Sequence, residues 1–221
     1  IAIRATDGVT VSNNDITQTG GTQPQQDILI TDNNGDQGTT TDTVVDTNEI
    51  TDFGHGVAIS TQDTGTGGIS GVSVTANTLE SNTIGVKFSD FGDTGETVNA
   101  DVSDNDIINN HDGVRVLDDT TGPAGATPSG VVALDSVTVN DNDLSGNSNS
   151  GVTNDGTGDT LNATTNWWGA SSGPGGDGSG SGTEVSGDVE FTPFYTNSAQ
   201  TSLSTSAESG SVDSNGTARS N

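Results

Sequence analysis

Apolar and polar residues alternate along this chain in short runs, and the runs recur. Six segments align on one asparagine: VTVSNNDI (9–16), TVVDTNEI (43–50), VSVTANTL (72–79), ADVSDNDI (100–107), VTVNDNDL (137–144) and LNATTNWW (161–168). The aligned residues are Asn14, Asn48, Asn77, Asn105, Asn142 and Asn166, spaced by 34, 29, 28, 37 and 24 positions. Three positions before each stands a small or β-branched apolar residue: Val11, Val45, Val74, Val102, Val139 and Ala163. Two positions after stands a larger one: Ile16, Ile50, Leu79, Ile107, Leu144 and Trp168. Alternation of this kind predicts strands with one face turned inward. Helical spacing is nowhere sustained.

A further strand follows eight or nine residues after the Asn, at Gly56–Ile59, Gly85–Phe88, Gly113–Val116 and Gly151–Asn154, with Asp27–Ile30 in the same role after an insertion at 17–26. Short strands recurring every 24 to 37 residues predict a solenoid, in which each coil buries its apolar face against its neighbours. The repeated Asn suits a turn in such a stack: it adopts a left-handed backbone readily, and its amide reaches the equivalent Asn above and below. The glycine before the further strand suits a corner requiring positive φ or a close backbone approach. Coils stacked about 4.8 Å apart give a rod about 30 Å long for six to seven coils.

These residues resemble the right-handed parallel β-helix repeat family, with the closest likeness to repeat arrays in secreted and cell-surface proteins of halophilic archaea. The block NWWGASSGPGG (166–176), followed by VSGDVEFTPF (185–194), resembles the segment that closes such arrays. The resemblance implies an all-β, right-handed parallel β-helix (a solenoid) over residues 1–196. Its C-terminal cap would begin at about 166, with Trp168 plugging the last coil and Val189, Phe191, Phe194 and Tyr195 covering the end. Residues 197–221, rich in Ser, Thr, Asn and Gly, read as a linker or tail. The opening Ile1-Ala2-Ile3 reads as the later strand of a coil whose first half is missing. The expectation is therefore a piece of a longer secreted protein, its N-terminal coil open to self-association. Long connections at 31–42, 60–71 and 117–136 are expected to project as loops.

Composition narrows the functional classes. Only 27% of residues are hydrophobic, too few for a thick two-layer core but enough to fill a narrow tube. The net charge is −27, with Arg4, Lys87, Arg115 and Arg219 the sole Lys or Arg residues. Such a surface repels nucleic acid and anionic lipid. At molar salt, where the Debye length falls to about 3 Å, the self-repulsion is largely screened. The expected setting is hypersaline and extracellular or at the cell surface, with no membrane insertion in this segment. Two N-x-S/T sequons, at Asn162 and Asn215, are candidate glycosylation sites.

Candidate chemistry lies in the acidic positions beside the aligned Asn. Stacking would set Asp104 near Asp141 and Asp106 near Asp143, and the repulsion between such neighbours is relieved by a bound cation; Ca²⁺ favours oxygen-only ligands of this kind. Solvated acid chosen for turns is the simpler account. FGHGVAIS (53–60), with His55, resembles the GHG segment of polygalacturonases, which share the β-helix fold. That likeness would make His55 and Arg115 catalytic candidates, with Asp27 at a comparable strand position; an enzyme acting on polysaccharide would also draw on Asp104, Asp106, Asp141 and Asp143. The paired acidic segments of that family are not recognisable, although glycoside hydrolysis ordinarily takes two carboxyl groups. Lys87 and Arg115 occupy equivalent outward positions on adjacent coils, suited to salt bridges or to a lyase base. The expected function is structural or adhesive, in a larger extracellular assembly. The alternatives are a polysaccharide lyase or glycoside hydrolase, and a calcium- or glycan-binding module.

Overall fold

The computed structural model describes residues 1–19, 26–32, 38–61, 68–90, 97–117, 133–156 and 158–205. The expected projecting loops fall mainly on 33–37, 62–67 and 118–132, outside the described residues. Within them the chain is all-β, with no helix, and its strands stack in parallel into three sheets. Each full repeat contributes three strands rather than two, because the aligned Asn sits at a corner that divides one segment into an entry and an exit strand.

The entry sheet carries Thr10–Ser12, Val44–Asp46, Gly68–Thr75, Thr97–Ser103, Ala133–Asn140, Leu161–Asn162 and Val189–Glu190 in order, and Thr39–Thr41 pairs beside Gly68–Thr75. The exit sheet carries Asp15–Thr17, Glu49–Thr51, Thr78–Glu80 and Asp106–Ile108, extended by single bridges from Asp106 to Asp143 and from Asp143 to Trp167. The glycine sheet runs from Ala2–Arg4 through Gln26–Thr31, His55–Thr61, Ile84–Asp90, Asp112–Val116 and Ser150–Asn154 to Gly182–Gly187 and Pro174–Gly176. Registers match the repeat alignment: Val45 pairs with Val11 and Val74, and Leu79 with Ile50 and Ile107.

Inward residues of all three sheets form one apolar cluster. Val45, Val74, Val102 and Val139 enter it from the entry strands; Ile50, Leu79 and Ile107 from the exit strands; Ile59, Phe88 and Val116 from the glycine sheet. Fully burying one such side chain stabilises the fold by about 1.5–3 kcal/mol. This shared cluster therefore supplies the main driving force despite the low hydrophobic content. This arrangement is compatible with the expected parallel β-helix.

The corner differs from expectation in one respect. The left-handed residue is the one before each aligned Asn, at Asn13, Thr47, Ala76, Asp104, Asp141 and Thr165, with φ between 53° and 59°. That kink turns the Asn inward, where each Nδ2 reaches the Oδ1 of the next: Asn14 to Asn48 at 2.8 Å, Asn48 to Asn77 at 2.9 Å, Asn77 to Asn105 at 3.0 Å, Asn105 to Asn142 at 2.9 Å and Asn142 to Asn166 at 3.1 Å. The same Oδ1 also takes the preceding Asn's backbone N–H. The ladder thus runs unbroken from the first repeat to the last.

A second ladder stands at the exit corner. Phe53 N–H donates to Asn82 Oδ1, Asn82 N–H to Asn110 Oδ1 and Asn110 N–H to Asn147 Oδ1, at 2.9–3.0 Å. Again a left-handed residue precedes each, at Asp52, Ser81, Asn109 and Gly146. The glycines opening the third strand serve close approach rather than positive φ. A Cβ on Gly85 would lie 2.5 Å from Ile107 Cγ2, and one on Gly113 would lie 2.5 Å from the Gly151 carbonyl oxygen.

At the C-terminal end Trp168 is 0% exposed, with Val189 and Phe191 buried beside it and Phe194 packed on the cluster. Tyr195 donates its hydroxyl to Asp141 Oδ1 at 2.8 Å, tying this segment back to an earlier corner. Residues 197–205 fold back on this segment through a Tyr195–Leu203 bridge and a Ser204-to-Phe194 backbone bond. The rest of the expected tail lies outside the described residues.

Candidate functional site

On the outward side of the glycine sheet, Leu29, Ala58, Lys87, Arg115 and Thr153 lie in one row by register. Lys87 and Arg115 are therefore neighbours, as their repeat positions imply. Lys87 is only 5% exposed, because this sheet is buried on both sides over most of its width, with Ala58, Ser60 and Ser89 also covered. The row is thus less of a solvent face than its alternation implies.

Arg115 organises the most developed polar cluster. Its Nη2 and Nε donate to Asp155 Oδ2 at 2.8 and 3.0 Å, and its Nη1 donates to Asp112 Oδ2 at 3.1 Å. Asp112, 1% exposed, also accepts from Asn149 Nδ2 at 2.7 Å and Ser150 Oγ at 3.0 Å, with His111 Nδ1 at 3.4 Å. Burial pushes the Asp112 carboxyl up. The Asn149 and Ser150 hydrogen bonds, the Arg115 charge and His111 outweigh it and hold the carboxyl below its ordinary value. The guanidinium is correspondingly raised: burial works against it, and Asp155 and Asp112 prevail. The arrangement fastens one repeat to the next through two carboxylates and one fork-shaped cation.

His55 occupies the same sheet two strands away, with Ile84–Asp90 between it and the Arg115 strand. Burial, and secondarily the Lys87 ammonium, lower its pKa to about 4, so the imidazole is neutral at neutral pH. Its Nδ1 is buried without a hydrogen-bond partner. On the adjacent strand Gln26 registers with His55, and the next residue, Asp27, has a buried Oδ2 without a hydrogen-bond partner. Burial raises the Asp27 carboxyl, partly countered by the α-amino group of Ile1.

The acidic candidates sit elsewhere. Asp106 and Asp143 are bridge partners along the exit sheet, and burial followed by the Asp143 charge raises Asp106. Asp104 and Asp141 share the left-handed corner, and both act on Tyr195: its hydrogen bond to Asp141, then burial, then the two charges raise the phenol. The structure thus brings the carboxylates together pairwise, and it divides Asp106 and Asp143 from Arg115 and His55 by placing them on different sheets. Among the described residues no group of three or more His, Cys, Asp or Glu side chains is arranged to hold a metal ion.

Sequence reasoning placed Asp112 beside Arg115 and expected a salt bridge there; it missed Asn149, Ser150 and Asp155, whose contacts to Asp112 and Arg115 span 37 to 40 positions. It also missed the second ladder, whose signal is present as Asn-x4-Asn in NTLESN, NDIINN and NDLSGN. Asn162 is partly exposed on the entry sheet, and Asn215 lies outside the described residues. No helix is long and apolar enough to cross a membrane among the described residues. No family model, no curated protein and no solved structure matches this chain.

Proposed function

We propose that the chain is a right-handed parallel β-helix acting as a rigid structural or adhesive element outside the cell of a halophilic archaeon, as a unit of a larger assembly. The carrying observation is the Asn14–Asn166 ladder, which links every repeat to the next through paired side-chain and backbone hydrogen bonds. A stack joined this way resists bending and separation along its length, properties suited to a spacer or fibre. The acidic surface suits concentrated salt, and the Arg115 cluster supports the same reading, because its groups are occupied with one another across repeats.

The test is antibody labelling of intact source cells in molar salt, together with attachment assays on a strain lacking the gene. Surface labelling with loss of cell–cell or cell–surface attachment is expected. Absence of labelling on intact cells, with the protein found inside lysed ones, overturns the reading.

A carbohydrate-active enzyme is the second reading, favoured by one observation. Asp27 and His55 place a raised carboxyl and a neutral imidazole on adjacent strands, each with a buried polar atom lacking a partner. Release of oligosaccharides from an acidic polysaccharide, abolished by Asp27→Asn, would establish it in place of the first.

A further inference from the structure

We infer that Asn162 carries an N-linked glycan. The inference rests on the extracellular reading above, since only an exported chain meets the transferase. Asn162-Ala163-Thr164 satisfies the acceptor pattern, with a hydroxyl residue two positions on and no proline between. Leu161 and Ala163 are both 0% exposed in the apolar cluster, so strand alternation turns Asn162 outward between them. Its register neighbours are Thr138 and Glu190, the first half-buried and the second exposed, so the row it belongs to is a polar outward one.

The amide itself is arranged unlike those of the ladders. In Asn77, Asn105, Asn142 and Asn166, Nδ2 is committed to backbone carbonyls inside the stack. Asn162 instead uses its Oδ1, which accepts from Thr164 Oγ1 at 2.9 Å and from Thr164 N–H at 3.2 Å. Its Nδ2 donates to no described residue. The donor required is a sugar linked to a lipid phosphate. The anomeric carbon–oxygen bond to phosphate breaks as a carbon–nitrogen bond to Nδ2 forms; the phosphate leaves with the electron pair, and one amide proton passes to a base. Because the strand is paired on both sides, transfer precedes closure of the last repeats, and the folded stack then accommodates the product.

Cleavage on the C-terminal side of Asp and Glu releases residues 160–177, whose only acidic residue is the terminal Asp177, as one peptide. For protein recovered from outside the source cell, mass spectrometry should find this peptide heavier by whole sugar residues, with fragmentation placing them on Asn162. Thr164→Ala should remove the increment and Thr164→Ser should keep it, with unchanged circular dichroism in both. An unmodified 160–177 peptide in exported protein overturns the glycan and leaves the extracellular reading standing. Protein found only inside the cell overturns both.

Discussion

Asn105 uses every polar atom of its side chain inside the stack. Nδ2 lies 2.8–2.9 Å from the carbonyl oxygens of Val74 and Ser103 and from Asn142 Oδ1, while Oδ1 accepts twice from Asn77. Removing it strands several buried partners at once, each costing about 1–3 kcal/mol. Asn105→Ala should therefore destabilise by about 3 kcal/mol or more, and Asn14→Ala, at the exposed end of the ladder, by about 1 kcal/mol. Urea unfolding in molar salt measures both, and equal losses would refute a ladder that matters most where it is buried. His55 makes a second residue-scale prediction. Above pH 6.5 both states are neutral; below it the unfolded chain takes the proton first, so stability declines down to about pH 4 and then levels off. His55→Gln should flatten that interval. Asp112, held below its ordinary value, contributes stability above pH 3.8 that is lost only on further acidification, so the two groups act in separate windows.

At the scale of elements, one repeat is exchangeable with the next because each meets its neighbours in the same register. Deleting residues 77–104 joins the left-handed Ala76 to Asn105, leaving Asn48, Asn105 and Asn142 in line and Phe53 beside Asn110 and Asn147. The shortened chain should still unfold cooperatively, with a denaturant slope lower by roughly an eighth, as 28 of 221 residues are removed. A collapsed or aggregated product would show that the repeats are not modular. The same elements explain what was legible beforehand. The first ladder could be read because its Asn recurs with apolar residues at fixed offsets on both sides. The left-handed corner could not, since Asn, Thr, Ala and Asp all occupy it and its geometry follows from the inward pull of the Asn beside it. The exit strands were hidden because three residues are too few to alternate visibly. The Asp155 half of the Arg115 cluster was hidden for a different reason: Asp155 lies 40 positions on and is brought near only by the pairing of adjacent strands.

At the scale of the molecule, charge opposes what the apolar cluster and the ladders hold together. The chain carries −27, and acidic residues such as Asp106 and Asp143 face one another across the spacing of adjacent strands. A pair of carboxylates about 5 Å apart repels by about 1 kcal/mol in water, and less where salt screens it. Summed over a net charge of −27, repulsion of this size is comparable to the net stability of a domain, about 5–15 kcal/mol. Stability in urea should therefore climb steadily between 0.1 and 3 M NaCl, as the Debye length contracts from about 10 Å to less than 3 Å. Sucrose, which favours compact states without screening charge, should give a much smaller gain. Asp106→Asn separates the two effects within one protein. The raised Asp106 carboxyl means that its ionised form is disfavoured in the fold, so neutralising it stabilises by up to about 1 kcal/mol in dilute buffer. The gain should vanish at 3 M NaCl. If Asp106→Asn helps equally at both salt concentrations, the local repulsion is not what salt relieves, and the stability of this acidic stack must be traced to preferential hydration of its surface instead.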